Sequence, residues 1–274
     1  MNISSFDDDI QQVLSMLLGL KEKVLEYFFN QSYRTYYKSK NDPVTEADNY
    51  VNDVIISFIT KNFPNDTVIS EELAGHIKQG GSKRTWILDP IDGTKEFVDK
   101  NPEFCISLGL YDIENGHLGF LYNPANNFLV FNDCNGVRYC LDRTNNFKQI
   151  DQLGFLNENT ICVSRNEFNS GGFDKLITVL TPRYNIKPIG SIAYKLGLIV
   201  AKVYPLTISL RPKNIWDVAA GLAIFSHDTS LLYTSLSFEQ IDFNDNLDKM
   251  PATIAGDKAI IKSLQELFPS GIES

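Results

Sequence analysis

No run of apolar residues in this chain reaches the ~20 needed to cross a bilayer. The longest candidate, Ile192 to Val203, is broken by Tyr194, Lys195 and Lys202. A basic region ahead of an apolar core is missing too. The N-terminus is acidic at Asp7, Asp8 and Asp9, so the sequence predicts no signal peptide. Histidine is scarce: His76, His117 and His227 form no HExxH or related pattern, which leaves zinc and histidine-based nucleophilic catalysis unsupported. Cys105, Cys134, Cys140 and Cys162 show no CxxC spacing and read as reduced, mostly buried thiols of a cytoplasmic protein. Positive charge is short as well. The net charge of -9 argues against a nucleic-acid polymer or stable membrane association as partner. A small anionic substrate would also be repelled, unless cations sat between it and the acids.

The chain has 274 residues, 43% apolar and 22% charged, enough for one large or two intimately packed domains. It holds no internal repeat. Periodicity predicts one helix over 7–29, with Ile10, Val13, Leu14, Leu17, Leu18, Val24, Leu25 and Phe28 on one face. A polar loop over 30–41 follows. A second helix begins at an N-cap, Thr45, with Glu46 and Asp48 in its first turn, and ends near Pro64. Strand signals come at 67–70, 84–88, 105–111 and 117–122, the last two joined by a Glu114-Asn115-Gly116 turn, then at 128–131, 137–140 and 160–164. Helices are expected near 173–180, 192–202, 216–225 and 258–267, and strands at 204–210 and 252–254. Helices, then a meander, then alternating strands and helices fit a layered α/β or α+β fold and not an all-parallel doubly wound sheet. The expected organisation is an N-terminal α+β half, 1–150, carrying most metal ligands. A C-terminal α/β half, 151–274, supplies Asp217 and substrate contacts, and the two form one compact unit.

The most informative stretch is Trp86-Ile87-Leu88-Asp89-Pro90-Ile91-Asp92-Gly93-Thr94. An apolar strand runs into two aspartates. Pro90 fixes the backbone as it leaves the strand, so Asp89 and Asp92 can converge, with the Ile91 carbonyl as a further oxygen. Hard oxygen ligands of this kind suit Mg²⁺. Gly93 permits close approach, and the N–H groups from Thr94 onward can receive a phosphate. The bland alternative is a turn with two solvated aspartates. Ser70-Glu71-Glu72 ends another strand, and Asp217 heads the apolar helix of Asn214-Ile215-Trp216-Asp217-Val218-Ala219-Ala220-Gly221. Taken singly, these acids are a solvated turn and a helix cap.

Together, Asp-Pro-Ile-Asp-Gly-Thr at 89–94, Trp-Asp-Val-Ala-Ala-Gly at 216–221, Asp-Pro-Val-Thr-Glu-Ala-Asp at 42–48 and Ser-Glu-Glu at 70–72 resemble the inositol monophosphatase superfamily of lithium-sensitive phosphatases. The resemblance implies an αβαβα layered sugar-phosphatase fold and two to three Mg²⁺ ions. It implies that Glu71, Asp89 and the Ile91 carbonyl hold one ion, that Asp89, Asp92 and Asp217 hold a second, and that Glu71 helps retain a third. Asp48 and Thr94 resemble the pair that orients and deprotonates the attacking water on the Glu71 side, with Glu72 as a supporting acid. Gly93, Thr94, Ser164, Gly190, Ser191 and Lys195 are the substrate-binding candidates; the bland reading of Lys195 is a solvated helix lysine.

Within the superfamily, Asp-Gly-Thr-Lys-Glu-Phe at 92–97, Glu103-Phe104 and Val163-Ser164-Arg165 resemble the CysQ-type 3'(2'),5'-bisphosphate nucleotidase branch. That implies a small phosphorylated metabolite as partner: adenosine 3',5'-bisphosphate, hydrolysed to AMP and phosphate by metal-activated water, in a sulfate-assimilation setting. Leu210 stands where inositol-specific members place an acid for ring hydroxyls; it could pack near a nucleobase. The stretch before Asn214, with Ser209 and Arg211-Pro212, departs from the branch pattern. An inositol or sugar phosphate phosphatase of the same superfamily is the alternative, and a non-catalytic binding module is a third reading. The resemblance is compatible with a homodimer without fixing one.

Overall fold

The fold is known from a computed structural model that describes residues 1–30, 35–39, 42–73, 83–112, 114–142, 144–150, 153–241 and 249–272. Helices α1 (Asp8–Gly19) and α2 (Lys21–Phe29) come first. An antiparallel pair, β1 (Thr35–Ser39) and β2 (Asp42–Thr45), leads into α3 (Glu46–Asn62). Then follow β3 (Thr67–Ser70), β4 (Arg84–Asp92), α4 (Thr94–Val98), β5 (Cys105–Asp112), β6 (Leu118–Asn123), β7 (Phe128–Asn132), β8 (Arg138–Leu141) and β9 (Phe147–Gln149). β3 to β9 form a seven-stranded sheet in sequence order, parallel between β3 and β4 and antiparallel elsewhere.

The rest of the chain contributes β10 (Thr160–Ser164), α5 (Arg165–Asn169), α6 (Asp174–Leu180), β11 (Asn185–Ile189), α7 (Ile192–Val200) and β12 (Leu206–Ser209). After these come β13 (Lys213–Asn214), α8 (Ile215–Phe225), β14 (Leu231–Ser235), β15 (Lys249–Met250), β16 (Thr253–Asp257) and α9 (Lys258–Leu267). A five-stranded mixed sheet runs β11-β10-β12-β16-β14, and β13 pairs with β15.

Side-chain alternation along the strands sorts the core into layers. Trp86, Leu88, Leu108, Phe120 and Phe131 face α1, α2 and α3, through Ile10, Leu14, Leu17, Val24, Val51 and Ile55. Ile87, Leu121 and Val130 point the other way, onto Leu196 and Ile199 of α7 and Val218, Ala219 and Ile224 of α8. The five-stranded sheet packs Ile161, Val163, Leu206, Ile208 and Ile254 against α6 and α9. The order is helix, sheet, helix, sheet, helix, the α+β arrangement expected. No helix among the described residues is long and apolar enough to cross a membrane.

Helix α8 lies unusually close to its neighbours because the facing residues are small. Gly109 and Gly119 are register partners on β5 and β6. A Cβ on Gly119 would sit 2.0 Å from the Ala220 carbonyl oxygen, and one on Gly109 would sit 3.2 Å from the Ala219 carbonyl carbon. A Cβ on Gly221 would meet Leu196 of α7 at 2.6 Å. This contact fixes the height of Asp217 over the sheet.

Several sequence expectations are corrected. The single helix over 7–29 is two helices meeting at Leu20, whose backbone stays helical while the hydrogen-bond ladder breaks. Of the expected loop over 30–41, residues 35–39 form β1, and 31–34 and 40–41 lie outside the described residues. β4 continues past Pro90 to Asp92, with its register to β5 shifting between Asp89 and Asp92. β9, β11, β13, β14 and β15 were not expected. β11 contains Pro188 and lies at a sheet edge, where a missing N–H is tolerated.

Candidate active site

The register shift at the end of β4 gathers the acids. Asp89, Asp92 and Asp217 each offer a carboxylate oxygen within 4.8 Å of the others. They line a cleft of about 250 Å³ together with Glu71, Ile91, Gly93, Thr94, Ser164, Gly190, Ser191 and Lys195. Lys95, Glu96, Asn166, Ile192 and Lys213 complete the wall. Every metal and substrate candidate read from the sequence is in this lining. Asp48 meets it through Thr94, and the charge of Glu72 reaches Asp48. A larger cavity of about 760 Å³ around Asp7, Asp8, Asp9, Arg84 and Cys134 contains none of the motif residues. Site chemistry, not size, selects the smaller cleft.

Each carboxylate is pinned by a local bond. The N–H of Ile91 donates to Asp89 Oδ1 at 3.0 Å, a consequence of the tight Asp-Pro-Ile path. Asp92 Oδ2 accepts from Ser191 Oγ and from the Ala193 N–H at 2.6 Å, which ties β4 to the start of α7. Asp217 Oδ2 accepts the Asn214 N–H at 3.0 Å in a capping box. The cap expected of Asp217 and its place in the acid cluster are therefore one geometry.

Asp48 is in the same position at α3. Thr45 caps the helix by accepting from the N–H groups of Ala47 and Asp48, at 3.1 and 3.4 Å. Asp48 Oδ2 returns the bond to the Thr45 N–H at 2.8 Å and also accepts from Thr45 Oγ1. Its other oxygen, Oδ1, lies 3.2 Å from Thr94 Oγ1, which is also 3.1 Å from the Ile91 carbonyl oxygen. Gly93, at φ 89°, makes the turn that presents Thr94.

The electrostatics are those of a site whose carboxylates outnumber its cations. Burial, then the Glu71, Asp92 and Asp217 carboxylates, hold Asp89 well above the usual aspartate range. Burial and Asp92 do the same to Asp217. Asp92 is raised by burial, although the Ser191 and Ala193 bonds and the Lys195 and Lys213 charges oppose it. Burial pushes Asp48 up to about 7, with the Thr45 bonds opposing and Glu72 and Glu71 adding to the rise. Clustered carboxylates under this strain fit hard divalent cations, which take oxygen ligands and cancel the repulsion.

Lys195 is not a solvated helix lysine. It is 1% exposed, and its Nζ donates to the carbonyls of Ile189 at 3.1 Å and Gly190 at 2.9 Å. Burial pulls its pKa down to about 8. Ser191 caps α7 by accepting the Tyr194 N–H at 2.9 Å while donating to Asp92. Gly190 is held by Glu103 Oε2 at 3.1 Å, and Glu103 also pairs with Arg165. Leu210 does not line the cleft; it packs with the outer core of the five-stranded sheet. The sequence reading missed Lys213, Asn166 and Glu167. The signal for Lys213 was its place four residues before Asp217, inside the stretch that departs from the branch pattern.

The inositol monophosphatase family profile matches residues 9–226, and the chain belongs to that family of phosphoric monoester hydrolases. The chain is 26% identical over 231 residues to the 3'(2'),5'-bisphosphate nucleotidase CysQ of Haemophilus influenzae, covering 81% of this chain and 82% of that protein. To CysQ of Escherichia coli K12 it is 31% identical over 191 residues, 68% of this chain and 74% of that one. Its fold matches the crystal structure of an IMPase/NADP phosphatase complexed with Mg2+ and phosphate. The TM-score is 0.75 at 18% identity, over 97% of this chain and 95% of that one.

Proposed function

We propose that the chain is a Mg²⁺-dependent 3'(2'),5'-bisphosphate nucleotidase, which removes the 3'-phosphate of adenosine 3',5'-bisphosphate to give AMP and phosphate. The observation that carries the phosphatase part is the convergence of Asp89, Asp92 and Asp217 beside the Asp48–Thr94 contact in one cleft. The nucleotide part is supported by the likeness to the CysQ proteins over most of the chain.

In this reading Glu71, Asp89, Asp92, Asp217 and the Ile91 carbonyl hold two to three cations. When bound, such cations supply charge neutralisation, Lewis-acid polarisation of phosphoryl oxygens and a lowered water pKa. The chain's own residues do the rest. A threonine hydroxyl has one proton and two lone pairs. Thr94 donates that proton toward Asp48 and accepts one from water, so the pair orients the nucleophile and takes up its proton. Glu72 is the supporting acid: its charge adds to the rise that makes Asp48 a stronger proton acceptor. The Gly93–Thr94 segment, Ser164 and the Gly190–Ser191 turn receive the substrate. Lys195 holds the Ile189 and Gly190 carbonyls and so sets the height of that turn. The 1–150 half contributes the acids of β4 and α3, and the 151–274 half contributes Asp217 and the turn before α7.

The test is kcat/KM for phosphate release from adenosine 3',5'-bisphosphate, inositol 1-phosphate and histidinol phosphate, with Mg²⁺, with EDTA, and with added Li⁺. The nucleotide is expected to lead by at least tenfold, with activity lost in EDTA and reduced by Li⁺. A lead for inositol 1-phosphate moves the substrate to the sugar-phosphate branch. Turnover that persists in EDTA overturns the carboxylate reading.

A further inference from the structure

We propose that Lys213, braced by Glu167, forms a second anion subsite in the cleft and selects substrates carrying a second phosphate besides the one cleaved. This rests on the cleft being a phosphomonoesterase site and does not depend on the substrate being a nucleotide.

Lys213 lies in β13, just ahead of α8, and lines the same wall as Asp217. Its side chain is 15% exposed. Its Nζ donates to the Arg211 carbonyl at 3.1 Å and pairs with Glu167 Oε1 at 3.5 Å. Glu167 is itself 4% exposed and firmly held. Ser209 Oγ donates to its Oε1 at 3.2 Å, and the Leu210 N–H donates to its Oε2 at 2.7 Å.

Burying such a pair is a poor route to stability, because desolvating two charges offsets most of their attraction. The arrangement makes better sense as a fixed cation aimed at a ligand. An ammonium has three N–H donors. Two acceptors are supplied by Arg211 and Glu167, which leaves one donor for a group in the cleft.

The other lysines of the wall differ in kind. Lys195 is sunk below the surface with two carbonyl acceptors. Lys95 is an exposed rim residue whose Nζ donates to Asn166 Oδ1 at 3.2 Å. Lys213 alone among these three combines cleft exposure with a buried carboxylate brace. Its field already reaches Asp92 and Asp217. Once cations neutralise those acids, the Lys213 ammonium, held at 3.5 Å from Glu167, keeps an N–H donor for an anion.

A competing role is that Lys213 only balances Asp92 and Asp217. That role would alter turnover of every phosphate ester alike, whereas a subsite alters the ratio between bisphosphates and monophosphates. The experiment therefore measures kcat/KM ratios for two matched pairs: adenosine 3',5'-bisphosphate against adenosine 3'-monophosphate, and inositol 1,4-bisphosphate against inositol 1-phosphate. In Lys213→Met the bis-to-mono ratio should fall about ten- to hundredfold for the preferred pair, mostly through KM, as for loss of one charge-assisted hydrogen bond. Lys213→Arg should keep most of the ratio. Glu167→Gln, a change in a positioning residue, should lower the ratio in part; a merely structural Glu167 would lower Tm and leave the ratio alone. A ratio that stays within twofold of wild type in Lys213→Met overturns the proposal. If the wild type hydrolyses none of the four esters, the phosphatase reading fails, and the same ratios are read as calorimetric Kd values. A wild-type preference for bisphosphates that Lys213→Met abolishes then sustains the subsite, and equal Kd values for the paired ligands end it.

Discussion

Replacing Asp217 by Asn should stabilise the metal-free protein while destroying its activity. Two unit charges 4.8 Å apart repel by about 3.5 kcal/mol at an effective dielectric of ~20. Asp217 faces two such neighbours, Asp89 and Asp92. Protonation relieves part of this, since burial and the neighbouring carboxylates already hold Asp89 and Asp217 well above the usual range. The remainder is about 1–3 kcal/mol at pH 8, or roughly 2–6 °C in Tm for a chain of this size. Asparagine can still accept the Asn214 N–H through its amide oxygen, so the capping box survives.

The pH dependence has a definite sign. The native pKa values lie above the unfolded value of about 3.9. The native state therefore keeps protons that the unfolded chain has released, and metal-free stability falls as pH rises from about 4 through the native values. Asp217→Asn should flatten that slope. Mg²⁺ at a hundred times its Kd should stabilise the wild type by about 2.7 kcal/mol, and the variant by less. Scanning calorimetry of both proteins at pH 5 to 8, in EDTA and in Mg²⁺, measures all of this. A variant no more stable than wild type in EDTA at pH 8 would show that the three acids do not strain the fold, and the argument for a cation site would fail with it.

Three further outcomes are expected. Asp48→Asn should lower kcat by about 10²- to 10⁴-fold, the usual range for losing a proton acceptor. In the proposed mechanism Asp48 acts ionised, so wild-type kcat/KM should rise with pH through an inflection at or below about 7, with bound cations drawing it lower; a limb that persists in the variant would assign it elsewhere. Gly119→Ala should destabilise by about 1–3 kcal/mol or more, because the new methyl meets a backbone carbonyl and not a movable side chain; a wild-type Tm would mean that α8 can lift off the sheet. Thiol reagent at pH 8 should modify exposed Cys134 first and spare Cys162, which is buried with Ile189 and Leu198 and whose thiol burial pushes up to about 12; equal rates by mass spectrometry would contradict that burial.

The parts of the site written in contiguous stretches could be read from sequence. Asp89 and Asp92 straddle one proline at a strand end, and Asp48 follows a capping threonine by three residues, so local rules place them. Asp217 needed the resemblance, since as a lone helix-start acid it is indistinguishable from a cap. Lys213 and Glu167 escaped notice because they are 46 positions apart and meet only when β10 and β12 pair. The bland alternative for Lys195, a solvated lysine, fails because α7 lies between two sheets and has little outward face, whereas a lysine on an amphipathic helix normally faces water. β4 was cut short at Pro90 because proline usually ends a ladder; here the register shift absorbs the missing donor.

The pinned oxygens have one more consequence. Ile91 occupies one oxygen of Asp89, Ser191 and Ala193 one of Asp92, and Asn214 one of Asp217. Each aspartate thus turns a single tooth toward the cleft. In a cation site built on these acids, a small ion content with few, separate oxygens and its own waters would use the free oxygens as they stand, while an ion gripped by both oxygens of a carboxylate would compete with the bond that sets a helix cap or a strand-end turn. A preference between divalent ions at such a site would then follow from the backbone that folds the cleft.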